Sequence, residues 1–111
     1  MQIDTELNGG VRVLRPHGPL VRAEAEEFQT RLRQTRGTSR GRFVVDMTDL
    51  HFVDSAGLEA LLDLADEANA AALSLKLANT NETVREVLDL TGMTEHFEMF
   101  ADVHSAVRSF L

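Results

Sequence analysis

The chain has 111 residues and a formal net charge of −7, with 43% hydrophobic and 26% charged residues, a size and balance expected of one globular domain spanning 1–111. It has no cysteine, which rules out disulfides, zinc–thiolate sites and thiol catalysis. The acidic balance argues against a direct nucleic-acid binder, and no apolar run approaches the roughly 20 residues that span a bilayer. Met1-Gln2-Ile3-Asp4 lacks the features of a signal peptide. The expectation is a soluble, cytoplasmic domain with no membrane insertion.

Gln2 to Leu7 alternates Ile3, Thr5 and Leu7 with polar residues, and Val11 to Arg15 forms a second extended run. Asn8-Gly9-Gly10 between them is a hairpin signal, because such a turn needs positive φ. Pro16-His17-Gly18-Pro19 ends the strand. Val21 to Arg36 predicts a helix with Val21, Ala25, Phe28 and Leu32 inward, stopped by Gly37 and followed by a Thr38-Ser39-Arg40-Gly41 loop. Arg31, Arg33, Arg36, Arg40 and Arg42 form the one basic run, read here as a solvated helix end and loop.

Phe43 to Met47 reads as a strand covered on both faces. Thr48 to Asp54 links it to a helix over 55–71, whose buried stripe is Leu58, Leu61, Leu62, Ala65 and Ala68 or Asn69. Leu73 to Ala78 alternates as a further strand. Asn79-Thr80-Asn81 caps a helix over 82–91, with Val84, Val87 and Leu88 inward and Gly92 ending it. His96 to Phe100 is the last strand, and Asp102 caps a final helix with Val103, Ala106, Val107 and Phe110 on one side. The fold class is α/β, ordered β-β-α-β-α-β-α-β-α. The central sheet is expected to be mostly parallel, with an antiparallel N-terminal hairpin at its edge and helices packed on it.

Functional loops of such sheets lie at the carboxyl ends of strands. The richest is Asp46 to Leu58, where Ser55 stands at a helix start and could serve simply as an N-cap. However, Asp46-x-x-x-Leu50-x-Phe52-Val53-Asp54-Ser55-Ala56-Gly57-Leu58, followed by a leucine-rich helix, resembles the STAS family of anti-sigma factor antagonists. The opening hairpin, Gly18, strand 43–47 and Leu90-Thr91-Gly92-Met93 fall where that family has them. Two departures are visible. Ala56 stands where many relatives have Ser or Thr, and Gly18-Pro19-Leu20-Val21 replaces a Gly-Glu-Leu-Asp segment.

The resemblance implies phosphorylation-controlled partner switching. The unphosphorylated chain binds an anti-sigma factor and frees the sigma factor. That partner is also a serine kinase with a histidine-kinase-like fold. It phosphorylates Ser55 and ejects the chain, and a serine phosphatase resets the cycle. ATP and magnesium belong to those partners, and the chain itself needs no cofactor. The implied contact surface is Asp54, Ala56, Gly57 and Leu58 with Gly18, Pro19, Leu20, Leu50 and His51. Asp54 would orient the turn and position the serine hydroxyl. Leu58 is alternatively core, the reading its stripe position favours.

An enzyme is not expected. His17, His51, His96 and His104 lack metal-ligand spacing, and no phosphate loop or nucleophile elbow is present. A receiver domain lacks its early acidic pair, and the single lysine, Lys76, lies inside a strand. The competing reading is a constitutive STAS accessory subunit of an ABC lipid transporter or a signalling scaffold.

Overall fold

In the computed structural model, which describes residues 1–111, Gly9 and Gly10 adopt φ of +57° and +81°. Positive φ at both central residues is what a two-residue I′ turn requires. It folds β1 (Ile3–Asn8) back on β2 (Val11–Pro16), with Asn8 opposite Val11. The chain continues through α1 (Arg22–Ser39), β3 (Phe43–Asp46), α2 (Ser55–Ala70), β4 (Leu75–Ala78) and α3 (Glu82–Leu90). A 3-10 turn at Thr94–His96, β5 (Phe97–Phe100) and α4 (Val103–Arg108) complete it. This is the element order expected from the sequence. The sheet runs β1-β2-β3-β4-β5, antiparallel in the first pair and parallel thereafter.

That order decides where the helices go. Successive right-handed crossovers stepping the same way along a sheet must place their helices on one face. Accordingly, Phe28 and Leu32 of α1, Leu61 and Ala65 of α2, and Val84 and Leu88 of α3 share one core with Leu14, Val45, Leu75 and Leu77. The helix after the last strand is free to take the other face. Ala106 of α4 packs there on Val11, Val44 and Ala78, flanked by Phe100, Val103, Val107 and Phe110. All four residues of β3 are buried, as a strand between two helical layers requires.

Several boundaries and faces differ from expectation. Gly37 does not stop α1, because a glycine in an exposed helical turn costs only about 1 kcal/mol against alanine. The helix ends at Arg40, in the left-handed region at φ +56°, with Gly41 at +79°. Leu73 is left outside β4, half-exposed over Gly41. Of the alternating β1 residues only Ile3 is buried, since β1 is the sheet edge. In α2, Leu64 takes the inward place expected for Leu62. No helix is long and apolar enough to cross a membrane.

Candidate functional site

The loop after β3 is held from inside by every third residue: Met47, Leu50 and Val53 are buried. From outside it is laced to the loop after β2. Gly18 N–H donates to Asp49 O at 3.0 Å, Leu20 N–H to Phe52 O at 2.9 Å, and Asp54 N–H to Leu20 O at 3.3 Å. Leu20 and Val53 thus form a parallel bridge. Asn81 ties in a third element by donating to His51 O at 3.2 Å.

Four residues expected on the contact surface are therefore corrected. Leu20 and Leu50 have no exposed area, because each is the apolar peg that fixes its loop to the core. Leu58 is core, as its stripe position favoured, and Gly57 is buried beneath it in sequence. A β-carbon on Gly57 would stand 2.0 Å from the Leu20 carbonyl oxygen, so glycine is what lets α2 approach this loop. Pro19, His51 and Ser55 remain exposed, and Gly18, Asp54 and Ala56 are half-buried. Phe52, 51% exposed beside them, escaped the sequence reading. The three-residue phase of Met47, Leu50 and Val53 would have placed it outside.

Ser55 is the first residue of α2, and its neighbour Asp54 is the N-cap. Asp54 Oδ1 accepts from Gly57 N–H at 2.8 Å and Oδ2 from Arg22 N–H at 3.0 Å. One carboxylate thus caps two helices. This also answers the departure at Val21, whose side chain makes no cap hydrogen bond for α1. The Gly57 N–H, then the Arg22 N–H, hold the Asp54 carboxyl below the usual range, with the Arg22 charge contributing last. With both oxygens already accepting and its basicity lowered, Asp54 is suited to orient the turn rather than to take a proton. The Ser55 hydroxyl, relieved of capping, lies at the surface where two helix N-termini converge.

Beside this turn, Arg15 Nε donates to Asp49 Oδ2 at 2.6 Å, and His17 Nε2 lies 2.7 Å from Asp4 Oδ2. These contacts brace the two loops against β1 and β2. No cluster of three or more histidine or acidic side chains is close enough to hold a metal ion.

The STAS domain family model matches residues 2–106. Among solved structures, the unphosphorylated anti-sigma factor antagonist SpoIIAA superposes with a TM-score of 0.75 at 23% identity, covering 98% of this chain and 96% of that one. The phosphorylated form of SpoIIAA, the Bacillus cell fate determinant, gives 0.71 at 22% identity, covering 99% and 100%. An anti-sigma factor antagonist from Mycobacterium paratuberculosis gives 0.76 at 19%, covering 97% and 92%. At these identities the likeness is one of fold. By sequence the chain is similar to the human "Sulfate anion transporter 1", 34% identical over 74 residues, which are 60% of this chain. It is also similar to the Arabidopsis thaliana "Probable sulfate transporter 4.2", 27% identical over 114 residues and 89% of this chain. The chain spans only 11% and 17% of the length of these two relatives.

Proposed function

This chain belongs to the STAS domain family, and we propose that within it the chain is an anti-sigma factor antagonist that works by partner switching. In this reading it acts as a single domain. Unphosphorylated, it binds an anti-sigma factor that is also a serine kinase with a histidine-kinase-like ATP-binding fold, and so frees a sigma factor. Phosphorylation of Ser55 ends the complex, and a metal-dependent serine phosphatase restores it.

The observation that carries this reading is the placement of Ser55, exposed and uncommitted at the first position of α2 beside a double-capping Asp54. A phosphate there adds about −1.5 to −2 charges at neutral pH. Within the chain, helix N-terminal N–H groups accommodate such an anion. At an interface the same phosphate, beside an ionised Asp54, forms a concentrated negative charge that loses its water, and a buried charge that the partner leaves unpaired costs a complex several kcal/mol. No internal rearrangement is needed. Pro19, His51 and Phe52 are exposed on the two loops laced together beneath this turn, and Phe52 is the natural apolar anchor for the partner.

Incubation with the cognate kinase and ATP is expected to add one phosphate at Ser55 by intact mass. Ser55→Ala should keep kinase binding without modification, and Ser55→Asp should weaken it about 100-fold or more, in line with the cost of an interfacial charge left unpaired. Equal binding by both variants would overturn the switch.

A second reading follows from the sulfate-transporter relatives. Here the fold serves as a fixed module or subunit of a transport or scaffold assembly, and Ser55 is never modified. Its mark would be co-purification with a membrane transporter and no mass gain with any kinase from the same gene neighbourhood.

A further inference from the structure

The fold sorts the arginine run into two groups. Arg33 and Arg36 close on Glu67 at 2.6 and 3.2 Å and join α1 to α2. Arg40 and Arg42 take no part in this. The left-handed turn at Arg40 and Gly41 brings them instead beside Arg12 of β2, whose N–H donates to Arg42 O at 3.0 Å and whose register partner is Phe43. The three arginines line a cleft of about 480 Å³ together with Leu7, Thr38 and Ser39. Ion pairs in this molecule use Arg15, Arg33 and Arg36, and none uses Arg12, Arg40 or Arg42. A chain of net charge −7 therefore gathers three uncompensated guanidinium groups in one place.

We propose that this cleft binds a phosphate-bearing polyanion, with Arg12, Arg40 and Arg42 as its donors. Planar guanidinium forks match tetrahedral oxyanions in bidentate geometry, and converging like charges are relieved by such a ligand. Leu7 is the one hydrophobic residue of the lining, so the chemistry selects a compact, highly charged group over an apolar ligand. Arg42 precedes β3 and Asp46 ends it, so the cleft lies at the opposite end of the sheet from Ser55. The proposal stands whether or not Ser55 is phosphorylated.

The anionic group could be carried by a free solute or by a phospholipid headgroup, and two arms separate them. The full chain is titrated with inorganic pyrophosphate at constant ionic strength while its amide NMR spectrum is followed. Separately, it is pelleted with phosphatidylcholine vesicles with and without phosphatidic acid. Saturable shifts at Gly10, Thr38, Ser39 and Gly41 identify a free ligand, and pelleting that requires phosphatidic acid identifies a headgroup. Either supports the site, provided the Arg40→Gln/Arg42→Gln double variant weakens binding by about tenfold or more while Arg31→Gln does not. The double variant's urea midpoint checks that it remains folded. Absence of both responses, or equal weakening by Arg31→Gln, overturns the proposal.

Discussion

The contact between Gly57 and the Leu20 carbonyl leaves no room for a side chain, since even a β-carbon would meet that oxygen at 2.0 Å. Gly57→Ala must push α2 away from the loop after β2 and break the Leu20–Val53 bridge. Overpacking of this kind costs about 1–3 kcal/mol. Urea denaturation should register it, and amide exchange should quicken at Gly18 and Leu20, whose N–H groups bond the loop after β3, before it does in the sheet. Ser55 and Asp54 were legible in the sequence as a local motif. The double cap was not, because Arg22 lies 32 residues away along the chain and nothing local to either residue announces the pairing. Leu20 and Leu50 misled for a related reason. An apolar residue in a functional loop can be an anchor to a partner or to its own core, and only the packing decides between them.

At the scale of elements, the burial of β3 and the inward face of α3 matched the sequence pattern, and that of α2 did so except that Leu64 rather than Leu62 turns inward, because each buries a wide face in the core. The ends were read less well where a tertiary contact outweighs a local signal, as at Gly37, or where a 3-10 turn delays β5 to Phe97. The lone helix on the far face depends on an arrangement no periodicity reveals. Lys76 lies buried in β4, paired with Glu98 at 3.0 Å, and its ammonium is 4.6 Å from the Phe110 ring and 5.3 Å from Phe100. A partly desolvated cation–π contact of this sort contributes about 1–2 kcal/mol. Phe110→Ala removes both this contact and the ring's packing on the far-face cluster, and should lower stability by about 2 kcal/mol or more. Hydrogen exchange should rise first in α4, with α1 to α3 little changed.

Over the whole molecule, several carboxylates are held below their ordinary pKa: Asp54 by backbone N–H groups of Gly57 and Arg22, Glu67 chiefly by Arg33, Glu98 by Ser74 then Lys76, and Asp102 by Ser105. Below about pH 5 the unfolded chain therefore binds more protons than the native one, and stability falls as pH falls toward the depressed values. The urea midpoint should be level near neutrality and decline through about pH 4; a curve that stays flat to about pH 3 would contradict these shifts. The strand order β1-β2-β3-β4-β5 also bears on how the chain is made. No strand is inserted between two earlier ones, so each new unit can dock on the edge that its predecessor leaves open. A chain emerging from the ribosome can fold in the order of its synthesis, with the hairpin as first template and mostly short-range closures to follow. The arginine cleft then takes shape once β3 has joined, while the seat of Ser55 closes only with the arrival of α2. Nascent chains of increasing length should acquire the two ends of the sheet in that sequence.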